Sequence, residues 1–476
     1  RNGYDADGDG FTEIPTINSI TVGTRGHIRV SPFSKIRLEY HAIKEDRRGG
    51  DRLDRPAHEA LIAEQTQHTN NSGSLSYDGQ SQDGKHLWNA YISAQHISRN
   101  SYYGSGMDPK AYGRTRDLTA VCGGQYSYKF DRLLFMPAQL TAGLEYNFDD
   151  LKDVSLGYDY RTDQRIHIVG TYLQNEWKNA HWGLLAGVRM DKHNLISRPI
   201  FSPRVNLRYS PFRDLSFRAI YAGGFRAPQA FDEDLHISVA GGERIRIRLA
   251  DKLREELSHS FSASTDWYRS FGKVSLNLMA EGFFTLLKNT YALRKTGEKA
   301  DEGKSSIMER YNGPGAKVYG CTMEGRLAVA RIFSFQGGLT LQRSRYDVAK
   351  SWSDDDKVAP EREMFRSPNF YGYMVARYTP FRNFDIDLSG TYTGSMKGSG
   401  TDVDVVVRTP SFWDMSCKIG YEFNIMGICR LKLYTGVKNI FNSYQKDFDK
   451  GEGRDSGYIY GPSLPRSLFF GMGMNF

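Results

Sequence analysis

The sequence predicts an all-β protein, a transmembrane antiparallel β-barrel, and three observations support this fold class. Apolar and polar residues alternate along many segments, short turns alternate with long polar connections, and aromatic residues and glycine are abundant. The 476 residues include 29 Tyr, 27 Phe and 48 Gly. Aromatic residues suit strands whose ends lie at a membrane interface, and glycine suits turns and crowded barrel walls.

Bulk hydrophobicity at first suggests a soluble protein, because hydrophobic residues make up 39% and mean hydropathy is −0.55. No segment approaches the roughly 20 consecutive apolar residues that a transmembrane helix needs. Without such a helix, a chain can cross lipid only as a closed barrel, in which alternate residues are apolar and every backbone group is paired. Low mean hydropathy is therefore compatible with a membrane protein.

Alternation is clearest from Met136 to Phe148, where even positions are apolar and odd positions are mostly polar or small. The same period returns over 182–190, 274–284 and 384–392. Such a strand presents one face to lipid and the other to a wet lumen. A soluble sandwich would also alternate, but repetition over so many strands favours a wide barrel.

The connections alternate between short and long. Ser31–Ser34, Tyr209–Asp214 and Tyr378–Asn383 each combine Pro with an aromatic residue, which is typical of periplasmic hairpins. Polar segments rich in charge, Gly and Ser lie between them, and we expect these to be external loops. They are 44–70, 98–116, 224–255, 288–308, 346–363 and 445–462.

These signals predict about 19 strands, the first near Ile17 to Val30 and the last from Leu468 to Phe476. The first and the last predicted strand both run from an external loop towards the periplasmic side. Since a closed antiparallel barrel pairs its first and last strands in opposite directions, we expect an odd number of strands to be missing. The last strand alternates and ends at Phe476, which resembles the signal that the outer-membrane assembly machinery recognises.

Charge and motifs argue against other classes of protein. The net charge of +8 comes from 63 basic and 55 acidic residues that are interspersed, with no basic run typical of nucleic-acid binding. The four cysteines, Cys122, Cys321, Cys417 and Cys429, lack zinc-site spacing. No nucleophile elbow, zinc-protease motif or phosphate loop is present, so we do not expect an enzyme or a required cofactor.

Alternate carboxylates open the chain at Asp5, Asp7 and Asp9, before Gly10. This spacing matches the first half of a calcium-binding EF-hand loop. The twelfth position is Thr16 instead of Glu, so Glu13 or another loop must supply the closing ligand. Two interpretations stay open, a calcium site and a solvated acidic turn.

Segment 98–116 contains Tyr102, Tyr103 and Tyr112 beside Gly and Ser. Rigid aromatic side chains with adaptable neighbours suit a ligand-binding surface in the mouth of a barrel. An interfacial aromatic belt explains the same residues equally well.

Four further segments together resemble the TonB-dependent outer-membrane receptors, in particular the Bacteroidota members described as cobalamin- or siderophore-type receptors. They are Phe201–Arg204, Gly223–Leu235, Tyr311–Gly313 with Gly320 and Glu324–Gly325, and Val437–Asn442. Their order and spacing across most of the chain are specific to the family, although not to a ligand.

The resemblance implies a barrel of about 22 strands with an N-terminal plug. Residues 1–476 would then form one barrel domain, with the plug and roughly three strands upstream of it. It also implies active import across the outer membrane of a Gram-negative bacterium, with TonB acting through the plug. The other expected partners are a scarce small-molecule nutrient, outer-membrane lipids and a surface lipoprotein. Cobalamin or another corrinoid is the first expected ligand, a ferric siderophore the second and haem the third.

Two site predictions depend on this resemblance. Cobalamin-type receptors use calcium to order their external loops, which favours a metal at Asp5, Asp7, Asp9 and Glu13. The run Phe225-Arg226-Ala227-Pro228, followed by Asp232, Asp234 and His236, resembles an external-loop box of haem receptors, in which a His ligates iron. The partner motif Asn-Pro-Asx-Leu is absent, and Leu253–Glu256 stands near its place.

Two rival classes remain. A passive porin or surface-binding barrel would use the same alternation, and a soluble protein of several sandwiches would alternate too. Neither explains the family segments.

Overall fold

The computed structural model describes residues 2–158, 160–229, 244–300, 305–352, 358–400, 405–425, 429–451, 454 and 458–475. Strands dominate these residues, and a 3-10 turn lies at Ala57–Glu59. The first ten strands are β1 Thr12–Ser31, β2 Ser34–Gly50, β3 Ile62–Gln80, β4 His86–Ser105, β5 Tyr112–Leu133, β6 Met136–Ser155, β7 Tyr160–Lys178, β8 Trp182–His193, β9 Ile200–Phe212 and β10 Leu215–Arg226. The next seven are β11 Arg244–Leu249, β12 Glu256–Phe271, β13 Val274–Lys288, β14 Tyr291–Ala300, β15 Ser305–Asn312, β16 Ala316–Val329 and β17 Phe333–Lys350. The last eight are β18 Glu361–Glu363, β19 Phe370–Tyr378, β20 Phe384–Thr393, β21 Lys397–Ser399, β22 Val406–Arg408, β23 Phe412–Ile425, β24 Cys429–Lys438 and β25 Ser467–Asn475.

Twenty strands form one antiparallel sheet in which neighbours along the chain are neighbours in space. The remaining strands form two small sheets within long connections, β11 with β14 and β15, and β21 with β22. The short β18 pairs with β17, as does β19, so β18 and β19 act as one interrupted strand. The sheet therefore contains 19 traverses, which confirms the predicted number.

The strand registers confirm the predicted faces of the sheet. Leu144 on β6 lies opposite Gly124 on β5 and Thr171 on β7, and it is 59% exposed. Phe470 on β25 is 91% exposed on the same apolar face. The opposite face carries ion pairs that join neighbouring strands or reach across one strand to the next. They include Arg189–Glu145 at 3.0 Å, Arg377–Asp387 at 2.5 Å and Lys432–Asp385 at 2.6 Å.

The predicted hairpin turns lie where expected, at Ser31–Ser34, after Phe212 and after Tyr378. The predicted external loops are shorter than expected, because strands continue into them. β2 extends to Gly50 and β3 begins at Ile62, while β4 ends at Ser105 and β5 begins at Tyr112. Continued pairing satisfies backbone N–H and C=O groups beyond the apolar band. The strand residues there are polar on both faces, so the sequence shows no two-residue alternation that would predict a strand.

Within the described residues, β1 pairs only with β2 and β25 only with β24. After 19 antiparallel traverses, these two edge strands run in the same direction. Their external ends are nevertheless connected, since the backbone N–H of Gly451, in the β24–β25 connection, donates to Asp9 at 3.2 Å. The expected missing strands stay a prediction.

Among the helical segments that the structure describes, none has the length and apolar character to cross a membrane.

Candidate functional site

The predicted metal ligands come together at the external end of β1. Asp5, Asp7, Asp9 and Glu13 each offer a carboxylate oxygen, and these oxygens all lie within 4.8 Å of one another. Gly8 and Gly10 adopt φ angles of 78° and 90°, which glycine tolerates without strain. Their backbone N–H groups donate to Asp5 at 2.7 and 2.9 Å, so the chain wraps around that carboxylate. In residue type and spacing, the donor set fits calcium.

Two cations of the β24–β25 connection already contact these carboxylates. Lys450 Nζ lies 3.0 Å from Asp7 Oδ2, and Arg454 Nη2 lies 2.8 Å from Glu13 Oε1 and 3.8 Å from Asp9 Oδ2. The hydrogen bond from Lys450 lowers the pKa of Asp7, and the same bond raises the pKa of Lys450. A calcium ion would therefore have to share or replace these contacts. We call the acidic group together with Lys450 and Arg454 the ionic clasp.

A cavity of 350 Å³ lies beside the ionic clasp. β2, β3 and β4 supply Arg47, Glu64 and Tyr103, and the register places Glu64 directly opposite Tyr103. The β24–β25 connection supplies Phe448, Arg454 and Tyr458. Burial and the carboxylate of Asp447 raise the pKa of the Tyr458 hydroxyl, so it stays a neutral hydrogen-bonding group. The cavity thus combines aromatic rings with both signs of charge.

Of the three predicted tyrosines, only Tyr103 lines this cavity. Tyr102 points to the other side of β4, where it is 1% exposed and packs with Ala57, Ala60 and Ala63. Its hydroxyl donates to the carbonyl of Asp108 at 3.0 Å. The ring of Tyr112 contacts it edge-on, with the ring centroids 4.8 Å apart. Packing accounts for Tyr102 and Tyr112 without a ligand, and their ligand contacts stay predictions.

Arg226 ends β10 and is exposed. Its guanidinium lies 5.9 Å from the ring centroid of Tyr291 and 3.8 Å from Glu256. The Tyr291 hydroxyl donates to the carbonyl of Arg226 at 3.1 Å. Asp232, Asp234 and His236, which complete the predicted haem-receptor box, lie outside the described residues.

The small sheet of β11, β14 and β15 carries arginines that sequence analysis missed. Arg246 lies over the ring of Tyr160 and Arg294 over the ring of Tyr311, each 4.8 Å from the centroid. Arg248 Nη2 lies 3.1 Å from Glu298 Oε1. The alternation of Arg and Ile over 244–248 is the sequence signal for β11, and it lies within a segment that the sequence predicts to be an external loop. We call Arg226, Arg246 and Arg294 with their tyrosines the arginine–tyrosine pairs.

Hydrogen bonds connect this small sheet to the β4–β5 connection, which contains Asp108. Arg246 donates to the carbonyl of Tyr158 at 2.7 Å, and the Tyr158 hydroxyl bonds to the Asp108 carboxylate. The structure therefore joins residues from several external connections into one assembly at the external end of the sheet.

The apolar outer face and the polar inner face of this antiparallel sheet define a protein of the membrane β-barrel class. The family model described as TonB dependent receptor-like, beta-barrel matches residues 13–440, so the chain belongs to this family of outer-membrane transport receptors. No sequence among the curated proteins matches the chain.

Several solved structures are similar. A mutant of the ferric enterobactin receptor from Pseudomonas aeruginosa has a TM-score of 0.74 at 16% identity, and the alignment covers 98% of this chain and 70% of that one. The siderophore receptor PirA from Acinetobacter baumannii gives 0.69 at 16% identity, covering 96% and 70%. The ferric-catecholate import receptor Fiu from Escherichia coli gives 0.65 at 12% identity, covering 97% and 81%. At these identities the likeness shows the fold.

Proposed function

We propose that this protein imports a ferric siderophore across the outer membrane, in a TonB-dependent manner. The arginine–tyrosine pairs at the external end of the barrel carry this proposal. Arg226, Arg246 and Arg294 each lie against a tyrosine ring, at 5.9, 4.8 and 4.8 Å. A ferric catecholate is anionic and aromatic, so it can pair with a guanidinium and stack on a ring.

The comparisons support the siderophore, our second expectation, better than the corrinoid that we expected first. Similar structures include receptors for ferric enterobactin, for a siderophore and for ferric catecholates. A corrinoid would use the aromatic surfaces of the cavity but has less need of the arginines. Haem remains the third choice, because its expected ligand His236 lies outside the described residues.

In the proposed mechanism, the external assembly captures the ligand and the polar inner face of the sheet surrounds its path. Arg226 and Arg294 are exposed, and each already contacts a carboxylate, that of Glu256 and that of Glu309, which an anionic ligand would have to share or displace. TonB, acting through the plug, would open the path through the lumen. A barrel of this width encloses a lumen, so selective import requires an element that blocks it.

Ligand titration of the plug-containing receptor in detergent tests the proposal. Arg294→Gln should weaken ferric enterobactin binding at least ten-fold, since about 1.4 kcal/mol corresponds to one decade in Kd and a hydrogen bond to a charged group contributes about 1.5–3 kcal/mol. Arg269→Gln is the matched control, because Arg269 also lies over a ring, Phe271 at 5.5 Å, but beside the short β12–β13 turn.

Tight binding of cyanocobalamin with no binding of ferric enterobactin would return the assignment to a corrinoid. Equal losses of ferric enterobactin affinity in Arg294→Gln and Arg269→Gln would show that the arginine–tyrosine pairs do not bind the ligand.

A further inference from the structure

The apolar face of β5, β6 and β7 gives way to a cluster of charges near the external ends of these strands. On β6, apolar side chains occupy this face from Met136 to Phe148, and the next two positions on the same face are Asp150 and Lys152. Lys152 lies opposite Arg116 on β5 and Asp163 on β7. Asp150 lies opposite Leu118 and Arg165. The change from apolar to charged therefore occurs within about one outward position of the same level on all three strands.

Basic residues outnumber acidic residues in this cluster. The basic members are Arg114, Arg116, Lys152, Arg161 and Arg165, and the acidic members are Asp150 and Asp163. Asp150 contacts Lys152 at 3.6 Å and Arg165 at 3.3 Å, and Asp163 contacts Arg161 at 2.9 Å. All four arginines are exposed and Lys152 is half-buried. After these internal contacts the cluster keeps a positive excess.

The height of the cluster matches lipid headgroups. A strand tilted by about 40° rises roughly 2.5 Å per residue along the membrane normal. Asp150 and Lys152 follow Phe148 by two and four positions, which puts them about 5 and 10 Å beyond the edge of the apolar band. Outward side chains lower on the same strands are exposed and apolar or aromatic, among them Val169, Leu144 and Tyr126. Acyl chains that cover this surface bring their headgroups to the level of the arginines.

We propose that Arg114, Arg116, Lys152, Arg161 and Arg165 form a binding surface for the phosphate-bearing headgroup of an outer-leaflet lipid. This inference rests on the outer-membrane orientation of the proposed function. Arginine is suited to the ligand, because its planar fork donates two parallel hydrogen bonds to a phosphate and stays charged at any physiological pH. Clustered basic side chains at the membrane surface are also the usual means by which proteins hold anionic lipids.

Native mass spectrometry of the plug-containing receptor in detergent, titrated with bisphosphorylated lipid A, tests this proposal. The variant Arg116→Gln/Lys152→Gln/Arg165→Gln should bind lipid A at least ten-fold more weakly than the unaltered protein. The matched control Lys129→Gln/Arg132→Gln/Lys178→Gln removes three charges from the opposite ends of β5 and β7, and it should bind normally. Lipid A stripped of phosphate should bind the unaltered protein as weakly as the first variant binds the intact lipid.

Equal retention of intact and stripped lipid would overturn the proposal, as would equal losses in the two triple variants. Inorganic phosphate that competes at the same concentration as lipid A would also overturn it, in favour of a free-anion site. Heat-dependent gel mobility verifies that each variant folds. Ferric enterobactin binding is measured in parallel and should be unchanged, because the cluster lies on the outward face. If neither the unaltered receptor nor either triple variant binds ferric enterobactin while lipid binding is intact, the result would count against the proposed transport function alone.

Discussion

Arg454 contacts Glu13 across 441 positions of the chain, with 2.8 Å between Nη2 and Oε1. Both side chains are nearly buried, at 9% and 2% exposure. The guanidinium also donates to the carbonyl of Asp449 and lies 5.2 Å from the centroid of the Phe11 ring. A buried ion pair of this kind is costly to break from one side, because the remaining charge stays buried without its partner.

Arg454→Gln should therefore destabilise the external ends of β1 and of the β24–β25 connection. We expect the local opening free energy to fall by about 3 kcal/mol, the range measured when one partner of a buried pair is removed. Hydrogen exchange should accelerate in residues 5–13 and 445–462 and stay unchanged in β5 and β6. Lys446→Gln is the matched control, since Lys446 is exposed in the same connection. If the double variant Arg454→Gln/Glu13→Gln regains protection from hydrogen exchange, the effect comes from the buried, unpaired carboxylate of Glu13. A loss of protection throughout the protein would contradict a local role of the ionic clasp.

We further propose that calcium competes with Lys450 and Arg454 for the carboxylates of the ionic clasp. Removing Arg454 should then raise calcium affinity several-fold, because one competing cation is lost, whereas Asp5→Asn and Asp9→Asn should lower it. Calorimetric titration of calcium into the receptor measures both effects. Asp83→Asn serves as the control, since Asp83 lies in the short β3–β4 turn. An absence of heat in the unaltered protein and in Arg454→Gln would favour the solvated acidic turn.

The contact between Asp7 and Lys450 predicts a pH dependence. The hydrogen bond from Lys450 holds the pKa of Asp7 below its ordinary value of 3.8, with smaller contributions from Asp9 and Arg454. A carboxyl with a depressed folded-state pKa contributes stability above its unfolded pKa and loses it as pH falls through the folded value. The Asp7 contact should thus be intact at pH 5 and lost only below pH 3.8.

Spin labels at positions 2 and 446, on a cysteine-free background, would measure this opening as a longer distance between the two segments. Lys450→Gln should give the longer distance already at pH 5, because it removes the contact that acid would otherwise break. An identical transition with and without Lys450 would contradict the assignment to Asp7.

Neighbouring tyrosines should respond differently to substitution. Tyr102→Phe removes one hydrogen bond, to the carbonyl of Asp108, and should cost about 1 kcal/mol of stability with siderophore affinity unchanged. Tyr103→Ala should lower affinity, since Tyr103 lines the cavity, and should affect stability less than Tyr102→Ala. Thermal unfolding and ligand titration of the same preparations separate the two effects. A larger loss of affinity in Tyr102→Phe than in Tyr103→Ala would contradict this division of roles.

The sequence by itself determined the strands, their number and their faces wherever one face is apolar. From Met136 to Phe148 and from Leu468 to Met474 the two-residue period is a local property, and any strand that adopts it must present the same side chains to lipid. The acidic group of Asp5, Asp7, Asp9 and Glu13 was predictable for the same reason, because its members lie close together in the sequence, within residues 5–13.

Only the tertiary structure decided what these elements meet. Tyr102 and Tyr103 differ by one position, and the register of β4 with β3 buries one and turns the other towards the cavity. Arg454 reaches Glu13, and Arg246 reaches Tyr158, because strands far apart in sequence bring their external connections to the same end of the sheet. No local period encodes such contacts, since they depend on how the whole sheet curves and on where each long connection folds back.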